Sequence, residues 1–452
     1  MQTSRYNYFF RVDGQTILAY NSFTTALVEM SAEEFGYLQD FFEYPQENFF
    51  EIHELAQFKD QLVEMGIVIP DDRDEIEQIR AMRLALKRQD RRFGLTIVPT
   101  LNCNFRCSYC FSYSRKARMG PETQLALLRF AEENLREAES LSISWFGGEP
   151  TLCIDIIEAL SAKFAALCEI YDVPMNPGSI VTNGYLLTER VAKRLKNAGI
   201  SRAQITLDGD RDTHDRRRPL RSGRGTFDRI VDNVARTCEI LETQIRINVD
   251  RSNAHTATGA LEALESRGLQ GKVGIYFGHV KPFTEACADI AAACLSGKEF
   301  SELDLALTKE ALSRGFTSFP YPRLQLDGVC GADKRLIYVV SPDGLLFKCW
   351  AEASLGPAWS VGSVFGSERT PQQEENLAGF LDWDPLAYGQ CQDCRLLPIC
   401  MGGCPHLRIR HNAEADCSTW RYGLLETLAI RYKLGSRIQP RGAHAESGIS
   451  SG

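Results

Sequence analysis

The run Leu101-Asn102-Cys103-Asn104-Phe105-Arg106-Cys107-Ser108-Tyr109-Cys110 carries three thiols in the spacing C-x3-C-x2-C. Three thiolates this close can wrap a single inorganic cluster. A [4Fe–4S] cube takes four ligands, usually cysteine thiolates. A loop offering three leaves one iron open to bind a small molecule and pass it an electron. Closely spaced cysteines also hold structural zinc, but zinc sites commonly pair two C-x2-C halves. The x3-then-x2 triplet fits that pattern poorly. The remaining alternative is that the cysteines are small buried hydrophobes.

The chain has 452 residues, is 44% hydrophobic and 24% charged, and carries a formal net charge of −8. That length predicts two to four domains. The acidic balance argues against a generic nucleic-acid binder. Met1-Gln-Thr-Ser-Arg-Tyr-Asn-Tyr-Phe-Phe10 lacks the apolar core of a signal peptide. No stretch approaches the roughly 18 apolar residues of a membrane span. Fifteen cysteines in such a chain point to free thiols and metal in a reducing cytoplasm rather than to disulfides.

Around the triplet, residues 91–285 alternate strand and helix patterns. Strands are expected at Leu95–Pro99, Ser142–Phe146, Ser179–Thr182, Arg202–Leu207, Gln244–Val249 and Val273–Gly278. These units predict an α/β fold with a parallel sheet and right-handed crossovers. They fall short of a closed eight-unit barrel, so the expectation is an open partial (β/α)6 barrel. The informative loops all follow strands, where α/β folds place their sites.

Residues 1–90 read as a separate winged-helix-like α+β module. Its hairpin turns at Asp13-Gly14, a third strand lies within Thr24–Met30, and Ser31-Ala-Glu-Glu34 opens a helix reaching Phe41. Further helices are expected over Glu51–Met65 and from Asp71 to about Lys87. Residues 286–325 read as a helical linker with helices near Phe283–Leu295 and Ser301–Arg314. Residues 326–435 form a cysteine-rich, irregular domain closed by a helix at Thr419–Leu434, and 436–452 read as a disordered tail.

Gly147-Gly148-Glu149-Pro150 follows the second strand. Paired glycines let backbone approach a ligand closely, and Glu149 can accept hydrogen bonds from an amine. Thr182-Asn183-Gly184 follows the third strand, and Thr206-Leu207-Asp208-Gly209 ends the fourth. Arg218, in His214-Asp-Arg-Arg-Arg218-Pro, is either a bidentate carboxylate binder or part of a solvated basic loop.

The triplet with Tyr109 before its last cysteine, followed by Gly-Gly-Glu, resembles the signature of the radical S-adenosylmethionine (radical SAM) enzymes. The resemblance implies that Cys103, Cys107 and Cys110 hold a [4Fe–4S] cluster whose open iron chelates SAM. Cleavage of SAM then gives a 5′-deoxyadenosyl radical that abstracts hydrogen from substrate. It also implies SAM contacts from Tyr109, Gly147, Gly148, Glu149 and Thr206; no residue is singled out as catalytic in its own right.

Cys330, Cys349, Cys391, Cys394, Cys400, Cys404 and Cys417 resemble the SPASM extension of peptide- and protein-modifying radical SAM enzymes. By that resemblance Cys391, Cys394, Cys400 and Cys417 ligate one auxiliary [4Fe–4S] cluster. Cys330, Cys349 and Cys404 hold a second with three thiolates. No cysteine lies between Cys330 and Cys349, so this cluster has either an open iron or a ligand from elsewhere, with Cys287 and Cys294 as candidates.

Residues 1–90 look like the module with which many peptide-modifying enzymes hold a leader sequence, by adding it as a strand to a sheet edge. A structural cap on the barrel is the alternative. The whole resembles a maturase of ribosomally made precursor peptides, forming an intramolecular thioether or carbon–carbon cross-link. It would be served by a reductant such as flavodoxin or ferredoxin, without nucleic-acid or membrane partners. An anaerobic sulfatase-maturating type making formylglycine, and a non-catalytic iron–sulfur carrier, are the competing expectations.

Overall fold

The computed structural model describes residues 1–14, 16–44, 50, 55–316, 321–366, 368–411 and 417–435. The tail expected at 436–452 and the start of the helix expected from Glu51 lie outside the described residues.

In the N-terminal region β1 (Gln2–Thr3) pairs with β5 (Val68–Ile69), and β2 (Asn7–Arg11), β3 (Ile17–Asn21) and β4 (Leu27–Met30) form an antiparallel sheet in the order β2-β3-β4. Helix Ala32–Glu43 starts at a capping box, with Glu34 N–H on Ser31 Oγ and Ser31 N–H on Glu34 Oε2. Helices Ala56–Glu64 and Glu75–Gln89 follow, the second capped by Asp74. Strand alternation divides the aromatic residues of β2. Phe9 packs on Phe35 and Phe42 of the first helix. Tyr8 and Phe10 face the other way, joining Tyr20, Leu396, Ile399, Leu424 and Leu428 of the C-terminal region.

The expected strands form a parallel run: β6 (Arg92–Ile97), β7 (Ser140–Trp145), β8 (Gly178–Thr182), β9 (Ile200–Leu207), β10 (Glu242–Val249) and β11 (Val273–His279). In β7 the buried residues alternate, Leu141, Ile143 and Trp145, so one face is committed to the core. Phe93, Trp145, Phe164 and Leu207 belong to one continuous cluster between sheet and helices. Helix Pro121–Leu135 has proline in its first turn, where a missing N–H costs nothing.

The cysteine-rich region is more regular than its sequence suggests. Three short strands, β12 (Ile337–Val340), β13 (Leu345–Phe347) and β14 (Gly362–Ser363), extend the barrel sheet. The sheet runs β11-β10-β9-β8-β7-β6-β12-β13-β14, with β12 parallel to β6 and the last two strands antiparallel. Gly94 of β6 permits this joint, because a Cβ there would stand 3.1 Å from Ile337 Cγ1. The segment expected as a helical linker also departs from its reading. Glu285–Ala293 is 3-10 rather than α-helical and breaks at Cys287. Gly297–Ser313 is a helix with a Ser296–Glu299 capping box, packed on β11 and on helix Trp420–Lys433.

Arg83 locks helix Glu75–Gln89 to the C-terminal region. Its guanidinium reaches Asp333 Oδ2 at 3.3 Å, the Trp383 carbonyl at 3.2 Å and the Leu326 carbonyl at 3.4 Å, with both ion-pair side chains buried. A buried pair adds little stability relative to an apolar pair, but breaking one partner strands a charge. Arg83→Ala is expected to cost about 3–5 kcal/mol in anaerobic denaturant unfolding. A loss within ~0.5 kcal/mol, the usual range for surface changes, would show that the pair does not bear on the joint.

Candidate functional site

The three thiols sit in the loop that leaves β6. Three contacts position this loop. Arg106 N–H donates to the Pro219 carbonyl at 3.1 Å, Ser108 N–H to the Arg217 carbonyl at 3.0 Å, and Arg221 Nε to the Cys103 carbonyl at 2.6 Å. The Gly147-Gly148 backbone supports it from below. Gly148 N–H donates to the Thr100 carbonyl at 3.0 Å and Glu149 N–H to the Asn102 carbonyl at 2.9 Å. A Cβ on Gly147 would stand 2.5 Å from the Thr100 oxygen, and one on Gly148 would stand 2.3 Å from the Asn102 oxygen. The paired glycines are therefore needed for close approach to the cysteine loop itself.

Glu149 is wholly buried. Its carboxylate accepts bonds from Thr151 N–H and hydroxyl, Thr182 Oγ1 at 2.6 Å and Asn183 N–H at 2.7 Å. Burial still outweighs these bonds and raises its pKa. Read from sequence as an amine acceptor, Glu149 also ties the loops after β7 and β8 together. Asn183 continues the chain of contacts, donating to Asn104 Oδ1 at 2.8 Å and lying 3.9 Å from Cys103 Sγ.

Cys103 and Cys107 are half-buried and Cys110 is exposed. Burial, reinforced by Glu149, pushes the Cys103 thiol up to about 12. Burial pushes Cys107 up to about 11 against the pull of Arg218. Cys103 also feels the charges of Cys107 and Cys110, so the three thiols share one locality. Metal ligation requires thiolates, so loading this set releases protons.

Across the mouth, Tyr109 Oη accepts Arg218 Nη1 at 2.6 Å and Asn248 Nδ2 at 3.1 Å, while the Arg217 guanidinium lies 4.8 Å from its ring centroid. Arg217 also grips Asp250 at 2.8 and 3.1 Å and Asp208 at 3.3 Å. The basic run is thus no solvated loop: Arg217 and Arg218 are buried and face the barrel. His214, also buried, accepts the Asp208 N–H on Nδ1. Arg218 Nε and Asp208 Oδ1 are buried without partners. Thr206 is buried at the end of β9 beside this network. Arg217, Asn248 and Asp250 were not singled out from sequence. Asn248 and Asp250 stand at the carboxyl end of β10, the place where α/β folds collect site residues.

The later cysteines fall into two sets. Burial, then Asp333, raises Cys330 to about 12, with Cys404 contributing. Burial, then Glu352, lifts Cys349 well above the usual thiol range, with Cys404 and Cys330 contributing. Cys391 feels Cys394 and Cys417, and Cys400 feels Cys417 and Cys394. Cys287 lies beside Cys110, and its neighbour Thr284 donates to the Phe111 carbonyl at 2.7 Å. Among the described residues no three His, Cys, Asp or Glu converge as for a single metal ion.

Residues 97–252 match the Radical SAM superfamily. Fe-coproporphyrin III synthase of Methanosarcina barkeri is 27% identical over 38% of this chain and 40% of its own length. The match covers less than half of the length of the first curated relatives. Among solved structures, native anSMEcpe with bound AdoMet and Cp18Cys peptide superposes with a TM-score of 0.58, at 19% identity, over 76% of this chain and 99% of that one. SuiB of Streptococcus suis bound to precursor peptide SuiA gives 0.51 at 17% identity, over 89% of this chain and 95% of that one.

Gly148→Ala is expected to displace the cysteine loop and lose about four irons per chain, one cubane's worth. Gly120→Ala, where a Cβ meets nothing within 4 Å, is the control. Equal iron contents by colorimetric assay would refute the close-approach argument.

Proposed function

We propose that this radical SAM chain is a maturase of a ribosomally made precursor peptide. The observation that carries the reading is the placement of the β2-β3-β4 sheet. One face packs on helix Ala32–Glu43 and the other on Leu396 and Ile399, between Cys394 and Cys400. Ser22 Oγ donates to the Arg395 carbonyl and Arg5 Nη2 to the Gln392 carbonyl at 3.0 Å. With both faces used, an incoming chain can add only at an edge, β2 or β4. Edge addition is how such modules hold extended peptides. The residue 1–90 module would then capture the leader and present the core peptide to the barrel mouth.

In this reading Cys103, Cys107 and Cys110 hold a [4Fe–4S] cluster, and Gly147, Gly148, Glu149, Tyr109 and Thr206 line the SAM site. When bound, cluster and SAM supply a hydrogen-abstracting radical. Arg218 Nε and Asp208 Oδ1, buried and unpartnered, suit a zwitterionic ligand with both acceptors and donors. Cys391, Cys394, Cys400 and Cys417 hold one auxiliary cluster, and Cys330, Cys349 and Cys404 the other. Closing a cross-link removes two hydrogens from the peptide. One would leave as an atom with 5′-deoxyadenosine and the other as a proton and an electron, and the chemistry supplied by a cluster held at the later cysteines would be to accept that electron. A flavodoxin or ferredoxin in the cytoplasm would supply the priming electron. Among the described residues no helix is long and apolar enough to cross a membrane.

The test incubates reconstituted protein and reductant with SAM and peptides encoded beside its gene. The expected result is 5′-deoxyadenosine, with a peptide lighter by two hydrogens and resistant to linear fragmentation. Substitution of Cys103, Cys107 and Cys110 by Ala should abolish both products. An aldehyde-bearing product without a cross-link, or turnover of a tetrapyrrole alone, would overturn the reading.

A further inference from the structure

The first auxiliary set, as read above, has three cysteines for a four-ligand cluster. The loop after Cys349 contains a carboxylate with the right attachments to complete it. Trp350–Glu352 forms a single 3-10 turn, closed by Glu352 N–H on the Cys349 carbonyl at 3.1 Å. Glu352 therefore sits one tight turn beyond a thiol of the set. Its side chain is 0% exposed.

The carboxylate is held from the other side by the helix that begins immediately after Cys404. That helix is Pro405–His411, and His406 and Arg410 are four residues apart, on one of its faces. Arg410 Nε donates to Glu352 Oε1 at 2.7 Å, and His406 Nδ1 stands 3.3 Å from the same oxygen. Arg410 is itself fixed by Asn376 Oδ1 at 2.7 Å, and His406 Nε2 lies 3.2 Å from the Phe283 carbonyl. Glu352 is thus clamped between the Cys349 turn and the Cys404 helix. Arg410 bonds Oε1, while His406 Nδ1 stands near the same oxygen without a hydrogen bond. Oε2 is buried with no partner, as are His406 Nδ1 and Arg410 Nη2. A buried, unpartnered carboxylate oxygen calls for a missing partner such as an unseen ion, and this carboxylate lies within electrostatic reach of Cys349 and is held by the helix that follows Cys404.

A second buried carboxylate, Asp333, stands near Cys330, and its Oδ1 is also unpartnered. Asp333 is committed elsewhere. Its Oδ2 pairs with Arg83, and both oxygens press on Gly328, where a Cβ would meet them at 2.4 and 2.5 Å. Its Oδ2 is taken by the joint with helix Glu75–Gln89, and its Oδ1 is the rival donor that the Asp333→Asn arm of the test addresses.

We propose that Glu352 supplies, through Oε2, the fourth protein ligand to the iron–sulfur cluster of Cys330, Cys349 and Cys404. The inference rests on the auxiliary-cluster reading and deepens it. A cluster closed by its own protein cannot take a substrate thiolate without first losing the carboxylate. It fits an electron acceptor for carbon–carbon bond formation or dehydrogenation, and does not fit a docking iron for a peptide thiol.

The test uses full-length protein in which Cys103, Cys107 and Cys110 are Ala, so that only the auxiliary sets hold iron. The unaltered background should keep about eight irons per chain. Both reduced-state EPR signals should be unmoved by millimolar 2-mercaptoethanol. Glu352→Gln should shift one signal and make it respond to the thiol. If Glu352→Gln instead loses about four irons, Glu352→Cys should restore them and Glu352→Ala should not. Asp333→Asn should leave both signals in place. The proposal falls if Glu352→Gln leaves both signals unchanged, if Glu352→Cys fails to restore lost iron, if Asp333→Asn alone shifts a signal, or if the background already responds to thiol. Separately, if Cys330→Ala, Cys349→Ala and Cys404→Ala lose no iron, the cluster reading itself fails, whatever Glu352 does.

Discussion

The site depends on one close approach, of the Gly147-Gly148 backbone to the carbonyls of Thr100 and Asn102. This contact sets the height of the cysteine loop above the sheet. It brings Glu149 beneath Cys103, and through Glu149 it fixes Thr182 and Asn183. Three strand ends are thereby joined through one buried carboxylate. Hydroxyls and amides surround this carboxylate and offset part of the cost of burying it, though burial still raises its pKa. Strand order supplies the geometry, since β6, β7 and β8 are adjacent and parallel.

The opposite wall is built differently. Arg217, Arg218, Asp208 and Asp250 form a network of charges that crosses from β9 to β10 and ends on Tyr109. Here positive and negative groups hold one another in place, and two polar atoms are left over to face inward. One wall is thus closed and saturated, while the other retains free donors and acceptors.

The parallel sheet was legible because strand patterns alternate with helical ones, each strand followed by a site-bearing loop. The hairpin of β2 and β3 was legible from Asp13-Gly14, and the first helix from Ser31 and Glu34. Strands β12–β14 were not, because runs of four, three and two residues leave no period to detect. The first three cysteines were picked out by their spacing, and the division of the later seven came from the resemblance to the SPASM extension. Arg217, Asn248 and Asp250 were not picked out, since lone polar residues acquire meaning only when topology brings strand ends together. Glu149 was named from its motif, but its bonds to Thr182 and Asn183, 33 and 34 residues away, were not.

The shared packing of Tyr20 with Leu396 and Ile399 has an energetic consequence. The N-terminal sheet and the loop bearing Cys394 and Cys400 cannot open independently, because each is part of the other's core. Where that loop holds iron, the free energy of metal binding becomes folding free energy for both. Loss of that metal would therefore lower the cost of local opening of the N-terminal sheet as well as of the loop.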